Sequence, residues 1–168
     1  METIAAYLFF VTTIIMGEPQ NYGACNDKAI DSTYSIIRFD PRIHFMFDRN
    51  SKNANLSDQE IALVERLLEQ SVDDYNLNLL TDTLLSKIKT PLDFSRYKRQ
   101  LIAVTNEKGE REVFLNCICA SVIPGLFKSG IDWRKEYFRV NDGGPCYFRV
   151  YLNLTTGTYY GFRVNGLA

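Results

Sequence analysis

The sequence has little of the machinery that enzymes and metalloproteins carry. It contains a single histidine, His44, among 168 residues, and no Cys-x-x-Cys pair. A glycine-rich phosphate loop, a nucleophile elbow and a zincin motif are also missing. His44 alternates with Phe45 and Phe47 in an apolar run, which is more typical of a structural residue than of a base. We therefore predict no catalytic residue, no metal site and no cofactor.

An excess of charge of one sign is absent as well. Lys and Arg number 19 and Asp and Glu number 20, so the net charge is −1. No global field favours a polyanion, and we expect no nucleic acid partner. Low-complexity tracts, long charge runs and fixed-period repeats are missing too. A chain of 168 residues is long enough for one domain with a sizeable core.

Long apolar runs are limited to residues 4–16. This run is too short to span a bilayer, which needs about 20 residues, and it is typical of the apolar part of a signal peptide. We therefore predict a signal peptide over residues 1–17 and export to the periplasm, the cell surface or the medium. Glu2 departs from the basic start expected there. Lipidation at Cys25 would add a membrane anchor, and an uncleaved apolar segment is the alternative to export.

Residues 18–55 are predicted to form an N-terminal extension with one or two short strands. The apolar runs at 35–39 and 43–47 are the candidates, and Pro41 between them favours a turn or an edge position. Residues 48–55 are polar and predict a loop.

The clearest helix signal follows in the predicted main domain, residues 56–168. Ser57 and Glu60 have the spacing of a capping box. Apolar residues then recur at helical spacing and form one stripe: Ile61, Val64, Leu67, Leu68, Val72 and Tyr75. A second short helix at 81–87 is weaker. The long helix is the natural cover for the apolar face of a sheet.

Strand signals fill the rest of the domain. Residues 98–104 and 112–119 flank Asn106 to Gly109, which is typical of a tight hairpin turn, and residues 121–130 predict a loop. Residues 133–165 contain three runs rich in aromatic and β-branched residues, separated by the turn signals at 142–144 and 156–157. They predict a three-strand meander. The predicted fold class is α+β, one long amphipathic helix packed on an antiparallel meander of about four to five strands.

Alternation along these strands divides the predicted sheet into an apolar face and an open, solvated face. The open face would carry tyrosine and arginine, residue types that are enriched at binding hot spots. The alternative is that they are cross-strand pairs that only stabilise a wet face, each worth about 0.2–1 kcal/mol. The candidate binding residues are Tyr137, Arg139, Tyr147, Arg149, Tyr151, Tyr159 and Arg163.

The cysteines leave two interpretations open. Cys117, Cys119 and Cys146 are candidates for a disulfide, as is common in exported proteins, or they are small buried hydrophobic residues. Cys117 and Cys119 point the same way from one strand, so an easy bridge between them is not expected. In a plain meander the first meander strand would separate Cys146 from both.

The order of a long helix and an antiparallel meander, over residues 57–168, resembles the cystatin-like α+β roll. The first hairpin lacks the Gln-x-Val-x-Gly motif of cystatins, so the resemblance does not extend to protease inhibition. Several short motifs also resemble an uncharacterised family of small exported Bacteroidota proteins, at residues 97–100, 116–119, 132–136, 142–148, 153–155 and 164–168. This resemblance implies export and a fold but no activity.

Two hypotheses about function follow. The first is a non-enzymatic exported interaction module that contacts a protein partner through the Tyr/Arg face or the loops. The second is a small-ligand-binding or enzymatic domain with a cavity between helix and sheet. The second would need polar groups in that cavity, and only Glu136 and Tyr160 interrupt the predicted apolar face. The sequence does not indicate an oligomeric state.

Overall fold

The computed structural model of the chain describes residues 33–82 and 89–166. The predicted signal peptide, Cys25 and most of the second helix predicted at 81–87 lie outside these residues. Within these residues two α-helices and six strands make up an α+β fold, which is the fold class that the sequence predicts, although with more strands than the four to five expected. The strands are β1 (Tyr34–Ile36), β2 (Lys52–Asn53), β3 (Tyr97–Thr105), β4 (Arg111–Cys119), β5 (Tyr147–Asn153) and β6 (Thr158–Val164), and the helices are α1 (Asp58–Thr81) and α2 (Ile123–Lys128).

The long helix α1 begins with the predicted capping box. The Ser57 hydroxyl accepts a hydrogen bond from the backbone N–H of Glu60, and the Glu60 carboxylate accepts one from the backbone N–H of Ser57. The helix runs for 24 residues, further than the predicted stripe. Val64, Leu68 and Val72 of that stripe are fully buried against the sheet, so the prediction of an amphipathic cover is confirmed.

The sheet is mixed. Strands β3, β4, β5 and β6 form an antiparallel meander in that order, and β1 and β2 share the other edge of β3. The short strand β1 runs parallel to β3, so the expectation of a purely antiparallel sheet is wrong at this edge. The hairpin between β3 and β4 turns at Asn106 to Gly109 as predicted, and Gly109 takes the positive φ of +80° that the turn requires.

Side chains alternate between two packed layers on β3, β4 and β5. Leu101, Leu115 and Val150 are neighbours across the three strands and face α1. This core between helix and sheet also contains Leu68, Phe148 and Leu152, each of which is at most 1% exposed. Each such side chain contributes roughly 1.5–3 kcal/mol on burial, so this layer is the main source of stability.

Residues 133–140 are not a strand, so the predicted three-strand meander is reduced to the hairpin of β5 and β6. The edge of β4 that this segment would occupy is paired with β5 instead. The segment crosses the outer face of the sheet, the face opposite α1, and its carbonyls accept hydrogen bonds from side-chain amides. Gln100 Nε2 donates to the carbonyls of Trp133 (2.6 Å) and Glu136 (2.7 Å).

Two further amides hold the same segment. Asn116 Nδ2 donates to the carbonyl of Phe138 (3.0 Å), and Asn165 Nδ2 donates to the carbonyls of Val140 (2.7 Å) and Asp142 (2.9 Å). Backbone carbonyls away from water need such partners. Side chains of β3, of β4 and of the residue that follows β6 thus supply the hydrogen-bond donors that a neighbouring strand would otherwise provide.

The outer face of the sheet is therefore largely covered rather than solvated, which corrects the predicted wet face. Residues 37–51 form the second part of this cover. Ile37 and Phe39 pack with Ile102, Val104 and Phe114 in a second apolar cluster. Residues 43–47 form turns rather than the predicted strand. The backbone N–H of His44 donates a hydrogen bond to the carbonyl of Asp40 (2.8 Å), which closes a turn around Pro41. The loops predicted at 48–55 and 121–130 contain the short elements β2 and α2.

Candidate functional site

An open groove remains on the outer face, between the two covering segments and the exposed edge of the sheet. Its volume is about 740 Å³. We call it the outer groove and define it by its lining, which is Ile43, Phe45, Met46, Phe114, Tyr137, Arg139, Arg149, Tyr151, Gly161, Phe162 and Arg163. Residues from both covering segments and from β4, β5 and β6 therefore meet in one place.

Tyr151 lies at the centre of the aromatic lining. Its ring stacks on Tyr160 of β6, with the centroids 5.0 Å apart and the planes at 13°. Edge-on contacts join it to Phe114 at 5.0 Å and to Phe47 at 5.9 Å. Tyr137, from the crossing segment, meets Phe114 edge-on at 5.9 Å. Such packed rings give the groove a rigid floor.

Gly161 shapes the wall of the groove next to Tyr151. The residue has a φ of +63°, and a Cβ added there would lie 3.0 Å from Cδ2 of Tyr151. The register between β5 and β6 shifts by one residue between Arg149 and Tyr151. A glycine at positive φ with an extra residue on one strand is a β-bulge.

Three arginines give the groove its charge. Arg149 of β5 and Arg163 of β6 are directly opposite each other across the strand pair. Arg139 enters from the crossing segment. Among residues 33–82 and 89–166, none of the three arginine side chains takes part in an ion pair or a hydrogen bond. Like charges on facing residues of neighbouring strands are destabilising unless something neutralises them.

The charge of these arginines affects the pKa values of the neighbouring tyrosine hydroxyls. Burial raises the pKa of Tyr137, and the positive charges of Arg139 and Arg149 act in the opposite direction. The same balance holds for the pKa of Tyr151, with Glu112 adding to the upward shift. Both arginines therefore lie close enough to both phenols to stabilise negative charge there.

Five of the seven candidate binding residues line this groove. They are Tyr137, Arg139, Arg149, Tyr151 and Arg163. Tyr147 lies on the same face but outside the lining, because its ring fills the space beside Gly143. The Tyr147 side chain is half-buried there and lies against the bend that leads into β5.

Tyr159 is on the wrong face in the prediction. Its hydroxyl donates a hydrogen bond to the Asp74 carboxylate on α1, so the ring faces the helix. This contact raises the pKa of Tyr159 to about 12. Tyr160, predicted to face the helix, points to the outer face and stacks on Tyr151. The bulge at Gly161 exchanges the two, because a shift of one residue moves every side chain beyond it to the other face.

Ile43, Phe45 and Met46 were missed as part of the site. The sequence signal is the apolar run after Pro41, which predicts a short strand rather than a surface. In the structure Phe45 and Ile43 are 77% and 63% exposed at the rim of the groove. An apolar run that is interrupted by a turn can thus supply a surface rather than a core.

The three cysteines within the described residues are absent from the lining of the groove. Cys119 and Cys146 form a disulfide with a Cα–Cα distance of 4.8 Å, whereas Cys117 is a free and buried thiol. The bridge is direct because no strand intervenes between β4 and β5. Burial raises the pKa of the Cys117 thiol, which keeps it protonated and unreactive.

The other titratable residues considered from the sequence have local structural partners. His44 is buried, and its Nδ1 accepts a hydrogen bond from the backbone N–H of Asp40 (2.9 Å). Asp132 pairs with Arg134 (3.0 Å), whose hydrogen bond is the main reason that the pKa of Asp132 falls to about 2. His44 and Glu136 line one shallow depression, but Tyr160 is bound elsewhere, to Glu112 (3.2 Å). The three do not form a common pocket.

Comparison of the chain with protein-family models, curated proteins and solved structures finds no match. Within the described residues, no helix has both the length and the apolar character needed to cross a membrane. The function is therefore argued from the groove itself.

Proposed function

We propose that this protein is a non-enzymatic, exported interaction module that binds a protein partner through the outer groove. The observation that carries the proposal is the exposure of Ile43 and Phe45 beside the tyrosines and arginines of the groove. Contiguous exposed apolar surface with a polar rim is typical of a binding site. Tyrosine and arginine add contact area and hydrogen bonding, and both are enriched at interface hot spots.

The alternative is a small-ligand-binding or enzymatic domain with a cavity between α1 and the sheet. We rank it second because that interface is filled by apolar side chains such as Leu68, Leu115 and Phe148. A smaller depression of about 320 Å³ lies at one end of it, beside Tyr75 and Val164. Besides Tyr75, its lining offers Lys89, Thr90 and Asn165 as polar side chains, and it includes no carboxylate or histidine.

A distant relation to the cystatin-like roll is also part of this proposal. The order of α1 and the β3–β6 meander supports it, whereas the parallel strand β1 departs from a purely antiparallel roll. The resemblance of the short motifs to a family of exported Bacteroidota proteins supports the compartment. So does the disulfide between Cys119 and Cys146, since disulfides persist in oxidising compartments.

Export is tested by the intact mass of the protein isolated from its own cells. We expect a chain that begins after Gly17 or after Ala24, and a diacylglycerol increment if Cys25 is lipidated. A mass that corresponds to the complete, unmodified chain would reject export but would leave partner binding at the groove untouched.

Partner binding is tested by photo-crosslinking in the native cells. A photoreactive amino acid replaces Phe45 at the rim of the groove, and crosslinked proteins are identified by mass spectrometry. The control is the same replacement at Leu77, which is 58% exposed on α1. We expect a discrete crosslinked species from position 45 that position 77 does not give. Equal patterns at both positions, or none at position 45, would reject the groove as the binding site.

A further inference from the structure

Most polar side chains of the outer groove are hydrogen-bond donors, and they have no acceptor partner within the described residues. The guanidiniums of Arg139, Arg149 and Arg163 can only donate, and the hydroxyls of Tyr137 and Tyr151 have no hydrogen-bond partner in the described part of the chain. The described ion pairs use other arginines, such as Arg99 and Arg111. The groove is thus a concentration of unmatched positive charge on a chain whose net charge is −1.

The position of the charges makes this arrangement costly in the free protein. Arg149 and Arg163 face each other across β5 and β6, where like charges repel. One carboxylate lies at the margin: Glu112 accepts a hydrogen bond from the Tyr160 hydroxyl at 3.2 Å, but it pairs with none of the three arginines. A bound anion between the strands would remove the repulsion and would satisfy the donors together.

Carboxylates fit this set of donors well. An arginine guanidinium binds a carboxylate through two parallel N–H···O bonds, and charge-assisted bonds of this kind are about twice as strong as neutral ones. Ile43 and Phe45 beside the arginines indicate that the ligand also has an apolar part. A peptide that carries acidic and apolar side chains combines both features.

We propose, resting on the function proposed above, that the outer groove binds an acidic segment of the partner protein, with carboxylates on Arg139, Arg149 and Arg163 and apolar side chains on Ile43 and Phe45. The interaction weakens as salt is added, because the groove is open to solvent and its charges are screened. Removal of one arginine weakens binding without unfolding the protein, since the three side chains have no hydrogen-bond or ion-pair partner in the described residues.

The test is a selection of peptides from a random phage-displayed library on the purified full-length protein. We expect the selected peptides to be enriched in Asp and Glu relative to the unselected library. Synthetic versions are then measured by fluorescence anisotropy against copies in which Gln and Asn replace Glu and Asp. We expect the acidic peptides to bind at least about tenfold tighter, and Arg149→Gln to remove most of this difference.

The matched control is Arg66→Gln, the same loss of charge at an exposed position on α1. We expect it to leave the affinity unchanged, and circular dichroism checks that both variants are folded. Selected peptides that are not acidic, yet depend on Phe45, would overturn the acidic ligand and leave partner binding intact. Failure to select any peptide would overturn the acidic segment. Tighter binding to heparin or to anionic vesicles than to acidic peptides would also overturn it, in favour of another polyanion.

Discussion

The helix-covered face and the outer face of the same sheet are stabilised in different ways. On one face α1 satisfies its own backbone hydrogen bonds, so its packing on the sheet relies mainly on apolar contacts such as those of Val64, Leu68 and Val72. On the other face two irregular segments have carbonyls that the sheet does not pair. The buried amide of Gln100 and the half-buried amide of Asn116 supply the partners.

This difference explains where the groove is. The apolar stripe of a helix packs along the strands, so a helix covers its face of the sheet without leaving a gap. The two irregular covers, residues 37–51 and 133–140, meet only where specific side chains hold them, as at the contact between His44 and Tyr137, whose ring centroids are 5.6 Å apart. The space that they leave exposes Tyr151 and the three arginines. The apolar core is concentrated on one face, and the proposed binding site lies on the other.

The largest expected effect concerns the helix layer. Leu68→Ala removes a fully buried side chain and leaves a cavity, so we expect a loss of about 3 kcal/mol in the free energy of unfolding. Chemical denaturation measures it. Leu80→Ala is the matched control on the same helix, because Leu80 is 80% exposed, and it should change stability by less than about 0.5 kcal/mol. Equal effects of the two variants would contradict the assignment of α1 as the apolar cover.

The second prediction concerns the polar anchoring of the outer layer. Gln100→Leu keeps a similar volume but leaves the carbonyls of Trp133 and Glu136 without their donor, so we expect a loss of about 2 kcal/mol. Hydrogen exchange should become faster in residues 133–142 and stay unchanged in α1. The control is Gln70→Leu, the same change at an exposed position of α1. Unchanged exchange in residues 133–142 would show that the amide does not hold the segment.

The elements that could be predicted from the sequence carry their signals within a few residues. The capping box of Ser57 and Glu60, the apolar stripe of α1 and the turn at Gly109 are all local patterns, and each is found in the structure. The alternation on β4 and β5 also predicts the correct faces, because the register between these two strands is uninterrupted. Arg149 and Tyr151 were therefore assigned to the outer face from the pattern alone.

The elements that could not be predicted depend on distant partners. Residues 133–140 have the alternation of a strand, but whether such a segment pairs depends on a free strand edge, and β5 occupies the edge of β4. Gln100 and Asn116, which anchor the segment, are far from it in sequence. The exchange of Tyr159 and Tyr160 had one local signal, a glycine at position 161 inside a strand pattern, which often marks a bulge. This glycine is the local signal for the exchange of the two tyrosines.

The smallest expected effect is a dependence of the outer layer on pH through His44. Burial lowers the pKa of His44, while the charge of Asp40 partly opposes the shift, and the rings of Phe39 and Tyr137 pack against the imidazole. A lowered pKa means that the unfolded chain binds the proton more readily, so stability should fall as the pH drops below about 6.5, the ordinary pKa of histidine. Protonation would also remove the acceptor that Nδ1 offers to the backbone N–H of Asp40.

His44→Asn tests this effect because asparagine does not titrate and its side-chain oxygen can accept the same hydrogen bond. We expect the free energy of unfolding of the wild-type protein to decline between pH 7 and pH 5, and the decline to be smaller in the variant. Glu65 gives the opposite trend, since burial raises its pKa and its stabilising effect is lost as the pH rises, but both proteins share it. Parallel pH profiles for the two proteins would mean that protonation of His44 does not affect the free energy of unfolding. The outer layer would then be held by its amides and rings alone, and affinity at the groove should not change over this pH range.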